Sequence, residues 1–137
     1  MSNFDKFVEA TIESIMFNCE EKKLSIKIIS PWDNSRTTIT ADGIYDCLID
    51  QLRASNIIEK LTLFTARNFN DITSELSRSF FYLLRGFEPE QKDLEWDVLK
   101  EKLKKVENGF MSLLEIEPVF GARFIILAKS ISFEDDD

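Results

Sequence analysis

The first third of the chain alternates apolar and polar residues in the manner of strands. Residues 10–19 are rich in β-branched and aromatic side chains, the charged residues 20–23 favour a turn, and 24–28 alternates with a period of two. This pattern predicts a hairpin with a four-residue loop. Pro31 and the polar residues after it indicate a loop, and 36–40 predicts a short third strand.

The apolar residues of the next segment, 42–53, fit the spacing of either a helix or a strand. As a helix it would carry one apolar face, made of Ile44, Tyr45, Leu48, Ile49 and Leu52. As a strand it would turn Tyr45, Cys47 and Ile49 towards the core. We interpret it as a strand because the flanking segments are sheet-like, and 57–64 predicts a further strand.

The middle of the chain changes to the period of amphipathic helices. Asn70 or Asp71 can cap a helix whose apolar stripe extends to Leu84 and which ends at Gly86. A second helix is predicted over 93–107. Its first turn is rich in acids and its last turn in lysines, as the helix dipole favours.

The chain then returns to strands, at 110–117, which Pro118 is expected to interrupt, and at 123–133. The order of strands, two helices and strands predicts an α+β fold, with a mostly antiparallel sheet and both helices packed on one face. No stretch rich in Gly, Pro or Ser divides the sequence. We therefore expect a single domain over 1–133 and an acidic, frayed tail at 134–137.

Composition narrows the classes of function. The chain has 137 residues, of which 44% are apolar, enough for one core. Its net charge of −8, half of it in residues 134–137, argues against a nucleic-acid partner, which would need basic surface. Apolar runs of about five residues are far too short to cross a membrane. We expect neither a nucleic-acid nor a membrane partner.

Targeting and cysteine content indicate the compartment. The N-terminal residues lack the basic and apolar regions of a secretory signal, which favours a cytoplasmic protein. The two cysteines, Cys19 and Cys47, are too few for a disulfide scaffold. We expect them to be buried free thiols, although neighbouring strands could bring them together.

The residues that most enzymes use are missing. The sequence contains no histidine, so it lacks the commonest general base and metal ligand. It has no glycine-rich phosphate loop and no Cys-x-x-Cys, and a Ser or Cys nucleophile would lack an imidazole partner. Of the common catalytic chemistries, the sequence leaves open only the one that relies on carboxylates. We therefore predict a protein that is not an enzyme and that needs no cofactor or metal.

Two groups of acidic residues are candidate surfaces. Asp42, Asp46 and Asp50 recur every fourth residue, which places them on one face of a strand or a helix. They could form a solvated face, a docking surface or a metal site. A second stretch, which includes Glu88 and Glu90, leads into the second predicted helix. A favourable helix N-terminus already explains most of it.

Aromatic residues give a further set of candidates. Trp32 lies in a polar loop and Trp96 near the start of the second predicted helix. Each could anchor an interface, although covering the core is the more usual role of tryptophan. The run 80–82 places aromatic rings around much of the first helix, which fits burial on two sides or an exposed patch for a partner.

The pattern over the whole chain resembles that of the immunity proteins of bacterial toxin systems, including contact-dependent growth inhibition. The segments that carry the resemblance are TIESIMFNCEEKKLSIKII, IYDCLIDQLRASNIIEKLTLF and LLEIEPVFGARFIILAKSISFE. Such proteins bind and block a cognate toxin, often a basic nuclease. The resemblance implies a binding protein for a basic toxin domain, and the candidate contact residues are Asp42, Asp46, Asp50, Glu88, Glu90 and Trp32.

Two other interpretations stay open. The chain could be a structural or regulatory subunit that forms a homo-oligomer through a sheet edge or through the aromatic face at 80–82. It could also be an enzyme that works with carboxylates alone, although this is the least favoured of the three.

Overall fold

Six antiparallel strands close into a barrel that carries two helices on its outside. The structure is a computed structural model and describes residues 4–136. The strands are β1 (Thr11–Asn18), β2 (Lys23–Ile29), β3 (Arg36–Asp50), β4 (Ile57–Phe64), β5 (Ser112–Phe120) and β6 (Arg123–Asp135). The helices are α1 (Thr73–Arg85) and α2 (Asp97–Glu107). The order around the barrel is β1-β2-β3-β6-β5-β4, and the predicted α+β class is confirmed.

The long strands β3 and β6 belong to both halves of the barrel. Residues 36–42 of β3 pair with β2 and with the end of β6, whereas 44–50 pair with the beginning of β6. Between these halves, Gly43 adopts a φ of +67°, and an added Cβ there would lie 2.9 Å from Cβ of Lys129. A residue with a side chain fits poorly at this position, so glycine permits the close approach of β3 to β6.

The barrel is closed by a short contact between β1 and β4. Their ladder contains one register pair, Thr11 with Ile57. Three backbone hydrogen bonds support it: Glu9 N to Ile58 O (2.7 Å), Ile58 N to Ala10 O (2.9 Å) and Ile12 N to Asn56 O (2.9 Å). Beyond this point the two strands separate.

Two apolar clusters share the strands β5 and β6. The barrel interior contains Leu24, Ile26, Ile28, Ile39, Leu61, Leu114, Ile116, Phe124 and Ile126. The second cluster lies between the helices and the outer face of the barrel, and contains Phe64, Leu76, Phe80, Phe81, Leu99, Leu103, Val106, Leu113, Ile125 and Leu127. The prediction that both helices pack on one face is therefore confirmed. Alternate residues of β5 and β6 enter different clusters, as expected for strands that are buried on both sides.

The segment 42–53 is a strand as far as Asp50, which confirms that interpretation. The predicted core face is correct for Cys47 and Ile49 but wrong for Tyr45, which is exposed. A shift of register between Ile44 and Asp46 inserts one extra residue into β3. Such a bulge leaves the extra residue unpaired, and here it turns Tyr45 outwards.

Pro118 does not end β5, contrary to the expectation from sequence. The strand continues to Phe120, and Pro118 pairs with Ile58 of β4. The backbone N–H and C=O of Ile58 are already bonded to Ala10 and Glu9, just before β1. Pro118 is tolerated because its partner needs no N–H donor from it.

Both predicted helix starts lie too early. Neither Asn70 nor Asp71 caps α1, whose N-cap is Ile72, because a 3-10 turn at Ala66–Asn68 carries the chain through this region first. The predicted helix 93–107 is divided at Trp96, whose backbone is extended, so that α2 begins at Asp97. The predicted end at Gly86 is confirmed, since Gly86 is the left-handed C-cap of α1.

Part of the predicted acidic tail, 134–137, belongs to the last strand. Glu134 and Asp135 continue β6 and pair with Thr38 and Thr37. The carboxylate of Asp135 accepts a hydrogen bond from the Thr37 hydroxyl (2.8 Å) and one from Lys6 Nζ (3.2 Å). These contacts hold the strand beyond its predicted end, whereas Asp137 lies outside the described residues.

The backbone conformation of Gly43 and its close approach to Lys129 lead to a stability prediction. Gly43→Ala should lower the free energy of unfolding by about 2–3 kcal/mol, because the positive φ and the contact with Lys129 both oppose a Cβ. The matched control is Gly86→Ala, which has a φ of +80° but open space around it, so it should cost only about 1 kcal/mol. Equal losses in urea unfolding would show that the close approach to Lys129 is unimportant.

Candidate functional site

Arg123, at the start of β6, is the centre of a charged group on the outer face of the barrel. Its Nη2 lies 2.7 Å from Oε2 of Glu115 on β5, and its Nη1 lies 2.8 Å from Oε1 of Glu88, in the segment after α1. Glu115 occupies an outward position of its strand, but α1 covers it and leaves its side chain only 8% exposed. A buried carboxylate of this kind needs a charged partner, and Arg123 provides one.

Two residues of α1 complete the group. The Ser79 hydroxyl donates a hydrogen bond to Oε1 of Glu115, and the guanidinium of Arg123 lies 4.1 Å from the centre of the Tyr82 ring. The Tyr82 hydroxyl in turn donates to Oδ2 of Asp50 on β3, at 2.8 Å. We call these residues the Arg123 network: Asp50, Ser79, Tyr82, Glu88, Glu115 and Arg123. The network joins three strands to α1 and the segment that follows it.

The Arg123 network borders a cleft of about 240 Å³. The acidic residues that line it are Glu75, Glu88, Glu115 and Glu117, and the basic ones are Lys60, Arg78 and Arg123. Glu75 lies 3.9 Å from Lys60, and the other two partnered acids bind Arg123. Four acids face three bases, so the cleft holds one negative charge in excess, and among residues 4–136 Glu117 takes part in no ion pair.

The titration behaviour of the cleft agrees with this excess. Burial, and then repulsion from the Glu115 charge, raise the pKa of Glu117. Burial works to lower the pKa of Arg123, but its hydrogen bonds to Glu88 and Glu115 outweigh that effect and raise it. The pKa of Tyr82 is raised, mainly by the hydrogen bond to Asp50. At neutral pH the Arg123 network therefore contains a cationic Arg123 and a neutral Tyr82.

The predicted aspartate trio does not form one patch. Asp50 joins the Arg123 network, whereas Oδ2 of Asp42 lies 4.0 Å from Nζ of Lys23. Oδ1 of Asp46 accepts a hydrogen bond from the backbone N–H of the next residue at 2.9 Å. The eight steps from Asp42 to Asp50 span roughly 26 Å along the strand. In the part of the chain that the structure describes, no three His, Cys, Asp or Glu residues lie close enough to hold a metal.

The other two acidic candidates differ from each other. Glu88 belongs to the Arg123 network. Glu90 instead starts a 3-10 turn: its backbone N–H donates to Oδ2 of Asp93 at 2.9 Å, and its carboxylate lies 3.7 Å from Nζ of Lys92. The role of Glu90 is explained by local structure, so we do not include it in the site.

The aromatic candidates differ in how far they are exposed to solvent. Trp32 is 69% exposed, so a covering role is wrong for it, whereas Trp96 is half-buried against Phe81. Phe80 and Phe81 are buried within their own chain. The aromatic face of α1 is therefore covered by α2 and the barrel, and it offers no exposed patch for a homo-oligomer.

Sequence reasoning missed the residues at the centre of the site. Glu115 lies in an otherwise apolar strand, Leu113 to Ile116, and a lone carboxylate in such a strand could have indicated a buried ion pair. Nothing in the sequence identifies Arg123 or Ser79 as its partners. They lie 8 and 36 positions away, in β6 and in α1.

The two cysteines are free, as predicted, but Cys19 is exposed and not buried. Cys47 is half-buried on the inner side of β3. Burial, and then the charge of Asp46, raise the pKa of the Cys47 thiol to about 11. Since the thiolate is the reactive form, Cys47 is nearly inert at neutral pH.

The chain matches no protein-family model, and comparison with curated proteins and with solved structures gives no significant similarity. Within residues 4–136, no helix is long and apolar enough to cross a membrane. A function for this protein therefore has to be inferred from its own side chains.

Removal of the central arginine should be costly. Arg123→Met should lower the free energy of unfolding by about 3 kcal/mol at neutral pH, because it leaves Glu115 buried without a counter-charge. The double variant that also carries Glu115→Gln should recover part of this loss.

The control is Lys92→Met, which breaks the exposed pair with Glu90 and should change stability by less than about 0.5 kcal/mol. Similar losses for the two single variants in urea unfolding would contradict this account.

The cysteines should differ in reactivity. A thiol reagent at about pH 8 should modify Cys19 quickly and Cys47 only after unfolding. Peptide mass mapping after brief labelling checks this. Cys19→Ser should abolish the fast labelling, whereas fast labelling at Cys47 would be inconsistent with its burial.

Proposed function

We propose that this chain is a non-catalytic binding protein of the immunity type, which acts in the cytoplasm and neutralises a toxin by contact with its basic surface. The observation that carries the proposal is the cleft beside the Arg123 network, in which four carboxylates face three basic side chains and Glu117, among the described residues, takes part in no ion pair. Two free cysteines, one of them exposed, fit a reducing compartment.

The cleft is suited to a lysine or arginine of a partner. Its charged walls are fixed by the ion pairs of Arg123 and by the bond from Ser79, so little order would be lost on binding. A cation placed there would neutralise Glu117, whose charge the folded chain holds at some cost. Complementary charge of this kind speeds association and favours the correct partner.

Binding fits these side chains better than catalysis does. Ser79 is buried, and its hydroxyl is already bonded to Glu115. Glu115 in turn accepts from Arg123 through the oxygen that Ser79 does not use. A nucleophile needs a free base and access to substrate, and this serine has neither. The network therefore supports a role in holding the cleft rigid.

The proposal predicts that a basic toxin domain is encoded beside the gene for this chain, and that domain is the partner to test. Co-expression of the two should restore bacterial growth, and calorimetry should show binding that weakens as salt is raised. Glu117→Gln should reduce the affinity about ten-fold through loss of one charge pair. It should not lower stability, because it removes a charge that burial disfavours.

The matched control is Asp42→Asn, which removes the same charge from a residue that Lys23 already neutralises. It should leave the affinity unchanged within a factor of about two. Failure to restore growth, or binding that responds neither to salt nor to Glu117→Gln, would overturn the proposal.

A further inference from the structure

The outer edge of β1 is open over most of its length. β1 pairs with β2 from Thr11 to Asn18, but its ladder with β4 includes only Thr11. Among the described residues no strand pairs with the other side of 13–18. Along this segment, alternate backbone N–H and C=O groups point away from β2, where they lack a strand partner.

The side chains on this edge are apolar and exposed. Met16, on the outer face, is 73% exposed, and Phe17, which faces the barrel interior at its rim, is 52% exposed. The one charged residue, Glu13, lies in a bulge, and its carboxylate is bonded to Nε of Arg36 at 3.0 Å. The stretch 14–18 contains no charge and no proline, which are the usual means of preventing edge pairing.

The edge of β4, across the opening from β1, is protected against pairing with an added strand. On β4, the carbonyl of Leu63 accepts a hydrogen bond from Nδ2 of Asn68 at 2.9 Å. The exposed residues Glu59 and Lys60 add charge to the same strand. The barrel therefore has one blocked edge and one open edge, so any strand added to it would pair with β1.

We propose that β1 pairs antiparallel with β1 of a second copy of this chain, about a two-fold axis at Met16. In this register Met16 faces Met16 of the second copy, and each Ile15 faces Phe17. Ser14 would face Asn18, so no like charges would be opposed. The two three-stranded halves β1-β2-β3 would form one continuous sheet.

The edge favours a second copy over an unrelated strand because it is complementary to itself. Its apolar residues lie symmetrically about Met16, as an isologous contact requires. The net charge of −8 opposes association, but residues 14–18 carry none of it, and at physiological salt repulsion is screened beyond ~8 Å. A contact of five residues on each chain is small, so we expect a dissociation constant on the order of 10 μM.

Sedimentation velocity over about 1–300 μM tests the proposal at physiological salt. The wild-type chain should shift from monomer to dimer across this range. Met16→Lys should remain monomeric at every concentration, since it opposes two charges at the axis. The matched control is Phe110→Lys, which changes an apolar residue that is 65% exposed in the turn before β5, and it should dimerise as the wild type does.

Amide hydrogen exchange of the wild-type chain gives a second test that does not depend on a variant folding. Protection of 13–18 should increase at high protein concentration, while protection of the β4 edge stays constant. A monomer at all concentrations would overturn the proposal. So would a dimer that Met16→Lys leaves intact, or one in which 13–18 gains no protection. These outcomes are independent of toxin binding, which is attributed to Glu117.

Discussion

The close approach of β3 and β6 at Gly43 and Lys129 is the feature on which the long strand pair of the barrel depends. On both sides of Gly43 the inward residues of β3 are odd-numbered: Ile39 and Ala41 before it, and Cys47 and Ile49 beyond the bulge. One strand therefore supplies core residues to both halves of the barrel. The close approach is possible because Gly43 has no Cβ to collide with Lys129.

The second half of the barrel then meets the helices, and this contact creates the charged site. Since β5 and β6 are covered by core on one side and by α1 and α2 on the other, an outward position such as Glu115 becomes an interior position. Its charge is compatible with folding because Arg123 and Ser79 are supplied from neighbouring elements. The arginine also binds Glu88 and stacks on Tyr82, so the site and the packing of α1 are fixed by the same contacts.

Local periodicity predicted most elements, since strands and helices differ in the spacing of their apolar residues. The strand 57–64 and the end of α1 at Gly86 follow from such signals. The features that periodicity could not predict depend on contacts between residues far apart in the chain. Pro118 is accepted in β5 because Ile58 bonds to Glu9 and Ala10, and Tyr45 turns outwards because β3 bulges against β6. The closure between Thr11 and Ile57 has no local signal either.

The net charge of the chain does not locate the charged site either, because it does not show which carboxylates are paired with cations in the folded chain. Several carboxylates that contribute to the value of −8 are already balanced, such as Asp42 by Lys23 and Asp135 by Lys6. An exposed pair of this kind attracts a partner little more than neutral surface does. In the function proposed above, the attraction comes from Glu117, which is partly buried, is repelled by Glu115 and takes part in no ion pair among residues 4–136. On that proposal the affinity of the cleft for a cation depends on this one carboxylate, and the acidity of the rest of the chain steers the approach.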